Sequence, residues 1–411
     1  AATFRLFQTN RLPPVFFLRH LCLGLFLSAA VLGSAHAATL REALDQAWSV
    51  QTDQLLARDQ QYAAQVNASD AWTPAPPTVG LFNTTDQFND DNGRNEWEVG
   101  IATPIWLPGQ RDRGKAVANT QMAAFNGQSQ LMRWQLAGQL RESWWVLRFA
   151  QADLANADRQ LEEAQVLAND VAARVKSGDL AALDQTQAKI GIEQARRQQY
   201  KAKRAVQRSR ETFALISNGA SVPDQNEPLG EPPAIDQHPM ISSLQASIAS
   251  AQARLEQATG DTRDAPEVGL TYTSERDQTA QPYEDRVKLG ITIPLGSASR
   301  NQPRIKAANA DWIEAQTTQQ VERRRINAEI KAATLELEQS TQLQGLAAEE
   351  LKLVNERAAW ITKGFRLGQF DLMTQIRSEQ EQLAAQAQVE RAALEYGQAI
   401  SRLNQAAGVL P

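Results

Sequence analysis

The chain repeats itself at an offset of about 190 residues, and this duplication constrains the fold more than any other feature of the sequence. The segment 99–105 (VGIATPI) corresponds to 289–295 (LGITIPL), and Gly178 corresponds to Gly368. Segment 77–81 resembles 266–270 at an offset of 189. A nearly constant spacing held over this much chain indicates a tandem structural duplication.

Each half contains two candidate strands, at about 78–88 and 95–105 in the first half and at about 267–275 and 284–295 in the second. In the first half, apolar Trp97, Val99 and Ile101 alternate with Glu98 and Gly100. A period of two predicts strands with one apolar face and one polar face. A pair of hairpins packed on a soluble helical core has the same periodicity and stays open at this point.

After each hairpin the apolar period becomes seven, as in the row Leu140, Leu147, Leu154 and Leu161, and proline disappears. No proline occurs between Gly109 and Val222, or between Arg304 and Leu410. The sustained period of seven predicts long helices packed as left-handed coils. A helix from about Gln110 to Lys176 would be roughly 100 Å long. Gly178 would then allow a reversal into a second helix of about 40 residues. A soluble coiled rod shares this pattern, but it would not carry the hairpins.

The first 37 residues differ from the rest of the chain. Arginines and then an apolar run from Leu21 to Leu32 precede Ala35-His36-Ala37, which is typical of a cleaved secretory signal peptide. The predicted organisation is a signal peptide at 1–37, a first repeat at 38–217, a proline-rich linker at 218–238 and a second repeat at 239–411.

The chain has little material for catalysis or metal binding. It contains one cysteine and three histidines, and only His238 of these lies beyond residue 37. No nucleophile–base pair, phosphate loop or metal cluster is apparent, so we expect no enzyme, no resident metal and no cofactor. A net charge of −5 argues against a nucleic-acid partner.

The amphipathic strands fit a membrane only if several copies combine. In lipid a β-structure must close into a barrel, and the smallest bacterial barrels have eight strands. Three copies of a four-stranded chain would give twelve strands. The side chains expected to face lipid are Val79, Leu81, Trp97, Val99, Ile101, Val268, Leu270, Tyr272, Leu289, Ile291 and Ile293. Phe82, Trp106 and Tyr283, near strand ends, are expected at the membrane interfaces.

The whole pattern resembles the TolC-like outer-membrane factors of tripartite efflux pumps. The resemblance rests on the signal peptide, on the duplicated hairpin-plus-coil unit and on the turn segments 174–180 and 365–372. Short outer loops and the segment 107–111 (LPGQR) look most like the heavy-metal (cobalt–zinc–cadmium type) branch. The resemblance implies a mainly α fold with a β-barrel part, in which a homotrimer forms a 12-stranded outer-membrane barrel above a periplasmic α-helical barrel.

The resemblance also implies partners, a transport role and sites. The partners are a periplasmic adaptor protein and an inner-membrane pump of the resistance-nodulation-division type, and the substrate, heavy-metal cations, would be conducted passively. The expected adaptor-docking residues are Arg174, Ser177, Gly178, Leu180, Arg366, Leu367 and Gly368. Asp184 and Asp371 are the candidate gate, closed by Asp184 with Arg377 or by a hydrophobic constriction at Phe365 and Phe370. A periplasmic coiled-coil adaptor or scaffold is the alternative function.

Overall fold

A computed structural model describes residues 38–89, 92–296 and 298–411 of the chain, and the predicted signal peptide lies outside these residues. The described chain is mainly helical with one antiparallel sheet, as the sequence predicts. The helices are α1 (Leu40–Ser69), α2 (Gln110–Ser177), α3 (Ala182–Ile216), α4 (Pro239–Gly260), α5 (Ala298–Arg366) and α6 (Leu372–Ala406), with a 3-10 turn at Ile235–Gln237. The strands are β1 (Thr78–Thr85), β2 (Asn95–Pro104), β3 (Glu267–Arg276) and β4 (Glu284–Thr292).

The duplication is visible in the element boundaries. Helices α3 and α6 each contain 35 residues. Their first residues are 190 positions apart in the sequence, and so are their last residues. Helices α2 and α5 contain 68 and 69 residues, so each is about 100 Å long. Strands β1 and β4 both end three residues before the predicted boundary. Strand β4 ends at Thr292, which pairs with Glu267, the first residue of β3.

The four strands form one sheet in the order β1-β2-β3-β4, with every neighbouring pair antiparallel. The two hairpins therefore join through β2 and β3, the inner strands. Strands β1 and β4 are the edges of the sheet in the single chain. Unpaired edge strands present free N–H and C=O groups, which other chains can pair with.

The long helices lie side by side in the order α3-α2-α6-α5, since α3 packs on α2, α2 packs on α6 and α6 packs on α5. The main core lies where α1 and the linker meet α2. There Leu140, Trp144, Trp145 and Leu147 of α2 are all buried, together with Phe213 of α3. Leu140 and Leu147 belong to the period-seven row seen in the sequence, whereas the two tryptophans were not part of that pattern.

No helix in the described part of the chain is both long enough and apolar enough to cross a membrane.

Candidate functional site

One face of the sheet is apolar and exposed. The strand register aligns Val79, Ile101, Leu270 and Leu289 across the four strands. The neighbouring cross-strand rows contain Leu81, Val99, Tyr272 and Val287, and then Val268 and Ile291. The exposed side chains in these rows range from 44% exposed at Tyr272 to 73% exposed at Val79 and Leu289. A continuous apolar surface of this kind marks a partner or membrane contact.

The opposite face is small and polar. The register aligns Gly80, Gly100, Thr271 and Lys288 on that side. Phe82, an expected interface residue, also lies on this face, opposite Glu98. Its ring covers Gly80, where an added Cβ would come within 2.7 Å of it.

The polar face ends in a charged network at the hairpin-loop end of the sheet. The Arg94 guanidinium lies 2.9 Å from a Glu275 carboxylate oxygen and 3.1 Å from one of Glu96. Arg286 binds the other Glu275 oxygen at 2.6 Å and reaches Glu284 at 3.3 Å. The other face is also polar at this end, where Asn83 bonds to Asn95 and Ser274 to Asp285, so the two faces differ in polarity over the part of the sheet away from the hairpin loops.

At the other end of the molecule, two glycine turns reverse the long helices. Gly178 (φ +88°) follows α2 and Gly368 (φ +73°) follows α5, both in the left-handed region that glycine tolerates best. The Asp179 N–H donates to the Arg174 carbonyl at 2.8 Å, and the Gln369 N–H donates to the Gly364 carbonyl at 2.8 Å. Both turns thus end their helices with the same hydrogen-bonding pattern.

The docking candidates differ in accessibility. Ser177, Gly178, Arg366, Leu367 and Gly368 are exposed at the turns. Arg174 and Leu180 are half-buried, and Leu180 packs against the small apolar cluster beneath the turns. The exposed set forms the end surface of the two helical hairpins.

Phe365, one of the two residues of the predicted hydrophobic constriction, is buried in the single chain. Phe365 is only 5% exposed, because it packs with Val171, Ala188 and Leu372. The Arg174 guanidinium covers its ring at 4.4 Å from the ring centre. Phe365 therefore packs between the two turns in the single chain.

Phe370 remains exposed at 45%, but its ring lies directly over Gly364, where an added Cβ would be 2.4 Å from it. Gly364 thus provides the space that lets Phe370 fold back on the end of α5. Arg377 is exposed and makes no ion pair among the described residues, so the predicted Asp184–Arg377 closing pair is absent from the single chain.

Both candidate gate carboxylates begin helices, in complementary ways. Asp184 lies in the first turn of α3 and accepts the Ala181 N–H at 3.0 Å. Asp371 is the residue that caps α6, and it accepts the Thr374 N–H at 3.0 Å and the Thr374 hydroxyl. The Thr374 hydroxyl and then its N–H hold the pKa of Asp371 below its usual range, with a smaller contribution from Arg377. Both carboxylates therefore stabilise the start of a helix in the single chain, whether or not they also act in a gate.

Glu379, which sequence reasoning missed, lies between α2, α3 and α6 in a cavity of about 330 Å³. Burial raises the pKa of Glu379, and the charges of Glu163 and Asp170 raise it further. A hydrogen bond donated by the Gln375 amide, at 2.7 Å, acts in the opposite direction. Nothing in the sequence pattern of α6 distinguishes this glutamate from its exposed neighbours. The described residues contain no group of three metal-ligating side chains.

Comparison with solved structures decides the architecture. The chain is similar to a membrane protein from Pseudomonas aeruginosa (TM-score 0.73, 16% identity, 90% of this chain and 93% of that chain). It is also similar to CusC, described as forming a transmembrane channel (TM-score 0.74, 15% identity, 90% and 92%). The open-state MtrE outer membrane channel of Neisseria gonorrhoeae gives a TM-score of 0.71 at 14% identity, over 90% and 89%. The fold is that of the outer membrane channels.

The outer membrane channel fold accounts for the paired hairpins and the long helices, and it agrees with the TolC-like resemblance in the sequence. At 12–17% identity, the likeness concerns the fold. No protein-family model matches the chain, and no curated protein sequence matches it.

Proposed function

We propose that this protein is the outer-membrane channel of a tripartite efflux pump and that it works as a homotrimer. The observation that carries the proposal is the sheet, which combines an exposed apolar face with unpaired edges at β1 and β4. Water penalises the apolar face and lipid penalises the unpaired edges, whereas a closed barrel in lipid satisfies both. Three chains supply twelve strands, an even number within the range of bacterial barrels.

The apolar rows fit an outer membrane in height. Alternate residues along a strand are about 6.7 Å apart, so the residues on this face from Trp97 in β2 to Ile105 just after it extend for roughly 27 Å. Outer-membrane barrels carry an apolar band of about this height. In the trimer, the face with Gly80, Gly100 and Lys288 would line the lumen, and the helices would extend into the periplasm.

The glycine turns are the proposed adaptor-docking surface. They lie about 100 Å along the helices from the sheet, where a periplasmic adaptor linked to an inner-membrane pump of the resistance-nodulation-division type would meet the channel. A crosslinkable cysteine at Ser177 should capture the cognate adaptor in cells, and one at exposed Arg58 of α1 should not. A working pump with no crosslink at Ser177 would contradict docking at this turn.

The substrate is proposed to be a heavy-metal cation that the channel conducts passively. Asp184 and Asp371 would each occur three times at the narrow end of the trimer, and rings of carboxylates favour cations. Selection would be made by the pump, and no catalytic role is proposed for this chain.

The proposal is tested by reconstituting the purified protein in planar lipid bilayers. We expect discrete conductance steps, with cations preferred over anions. A periplasmic coiled-coil adaptor or scaffold would give no steps, and that result would exclude the channel function.

A further inference from the structure

The middle of α3 carries a concentrated run of positive charge. The 15 residues 196–210 contain seven lysines and arginines and no aspartate or glutamate. The corresponding residues of α6, 386–400, contain one arginine and two glutamates, so the run belongs to the first repeat alone. Of the seven cations, only Arg196 has an ion pair among the described residues, with Glu193 of its own helix at 2.7 Å. Like charges at i and i+4 destabilise a helix, so this run favours a negatively charged partner.

Four cations of α3 form a row that points away from the rest of the chain. Lys189, Arg196, Lys203 and Arg210 follow one another at intervals of seven residues, and all four are exposed. These four residues are the basic row, which extends for about 30 Å along the helix. Ala188 and Ser209, each one residue before a member of the row, are buried in the chain. The row therefore lies beside the packed face of α3 and not on it.

The basic row also stays open when copies of the chain assemble. A copy that packs on α3 would use its exposed apolar side chains, which are Leu183, Ile190 and Leu215, at 45–84% exposed. Ile190 follows Lys189 directly, and consecutive residues point about 100° apart on a helix. The packed face of α3 and this apolar strip thus lie on opposite sides of the row, and the row itself remains in solvent.

The position of the row along the helices restricts the kind of partner. Ala188 belongs to the same apolar cluster as Val171, and Phe213 to the same cluster as Leu147, so the row runs beside the part of α2 between those two residues. Since α2 begins at Gln110, next to the sheet, this part lies roughly 55–90 Å from the sheet. Lipid headgroups around the sheet are out of reach of the row. In the orientation of the proposed channel, its partner is periplasmic.

An exposed aromatic ring lies within the run of cations. Tyr200 is 65% exposed and lies four residues after Arg196 and three before Lys203, so it shares a surface with both. The apolar face of such a ring can stack on a sugar ring, whereas guanidinium and ammonium groups bind carboxylates. At the duplicated position α6 has Glu390, which pairs with Arg159 of α2. The surface of α3 therefore suits a polymer that carries both sugars and carboxylates.

We propose that the basic row and Tyr200 bind the cell-wall polymer of the periplasm, a network of glycan strands whose short peptides carry free carboxylates. The row binds the peptide carboxylates, and Tyr200 packs on a sugar ring. A trimer presents three such rows around its helices, so these contacts fix the channel laterally in the envelope. This inference rests on the proposed channel, which places α3 in the periplasm, and it adds a partner that conduction itself does not require.

Co-sedimentation of the detergent-solubilised protein with purified cell-wall sacculi tests the contact. We expect the unmodified protein to pellet with sacculi at low salt and to be released as added salt screens the charges. Replacing all four residues of the basic row by glutamine, which preserves the helix, should weaken binding roughly tenfold. The control variant replaces four exposed cations of other helices by glutamine and should bind normally; these are Arg58, Lys306, Lys331 and Lys352.

Two further changes address the carboxylates and the sugars separately. Sacculi whose carboxylates have been converted to neutral amides should bind the unmodified protein poorly. Tyr200→Ala should weaken binding to untreated sacculi while keeping its salt dependence, and full binding by this variant would contradict the assignment to a glycan polymer. Equal binding by the row and control variants, or full binding to the amidated sacculi, would overturn the proposal. So would an unmodified protein that does not pellet, which would leave an acidic protein as the partner of the row.

Conductance in planar bilayers separates this proposal from the channel function. The variant without the basic row should give the same conductance steps as the unmodified protein. Conductance steps from a protein that does not bind sacculi would overturn the cell-wall contact and leave the channel standing. Specific binding to sacculi by a protein that gives no conductance steps would contradict the channel and leave the cell-wall contact standing.

Discussion

Arg141 and Glu227 form a buried ion pair that fastens the proline-rich linker to the longest helix of the first repeat. The Arg141 guanidinium binds both carboxylate oxygens, at 2.5 and 2.9 Å, and donates to the Val409 carbonyl at 2.9 Å. The Ser401 hydroxyl donates to Glu227 at 2.8 Å. One ion pair thereby connects α2, the linker, α6 and the C-terminal residues.

The first prediction is that Glu227→Ala destabilises the protein by about 3–5 kcal/mol, because Arg141 is left buried without its counter-charge. Thermal or denaturant unfolding followed by circular dichroism measures the loss. Glu395→Ala removes the exposed pair with Arg391 and should cost about 0.5 kcal/mol or less. Equal losses for the two variants would show that the buried pair has no special role.

The second prediction concerns the apolar face of the sheet. Ile291→Arg should prevent assembly in the outer membrane, since an arginine near the midplane on the lipid side of a barrel costs about 2–4 kcal/mol. Lys288→Leu, three residues away on the other face, should assemble normally. Heat-modifiable migration on gels reads out assembly. If Ile291→Arg assembles and Lys288→Leu does not, the two faces have been assigned the wrong way round.

The third prediction separates charge from capping at the helix starts. Asp371→Asn keeps a side-chain oxygen for the Thr374 N–H but removes the negative charge, whereas Asp371→Ala removes both. If three carboxylates act together on passing cations, Asp371→Asn and Asp184→Asn should both weaken block by divalent cations in planar bilayers. If divalent cations block both asparagine variants as strongly as the unmodified protein, the two aspartates only cap their helices and do not act on passing cations.

The fourth prediction uses the raised pKa of Glu379. The folded protein holds this proton more tightly than the unfolded chain, so the free energy of unfolding falls as pH rises from about 4.3 through the folded pKa. Glu379→Gln should therefore raise the thermal midpoint at pH 7 and leave it almost unchanged at pH 4. Exposed Glu162→Gln is the control and should have little effect at either pH. A similar gain at both pH values would attribute the effect to packing.

The sequence predicted the fold well because the changes of period are local signals and the duplication repeats them in both halves. The alternation around Val99 and Ile101 and the heptads around Leu140 and Leu147 are read directly along the chain, and the observed elements contain them. Once the strands are paired, the period of two also places Val79 and Ile101 on the same face of the sheet.

The tip was harder to predict, because its contacts join residues far apart in sequence. Whether Phe365 faces an opening or a neighbour depends on Arg174, which is 191 residues away. The pair of Arg141 with Glu227 and the burial of Glu379 depend equally on how separate helices pack. No local pattern distinguishes these charged residues from the many exposed ones.

The most direct test of the channel assignment is the state of the protein in the outer-membrane fraction. Membranes are separated by density, the protein is extracted in mild detergent, and samples are run on gels with and without heating. We predict that it is found in the outer membrane and that a trimer band of the unheated sample converts to the monomer on boiling. Recovery of the protein as a monomer in the soluble periplasmic fraction would contradict the account and favour an adaptor or scaffold.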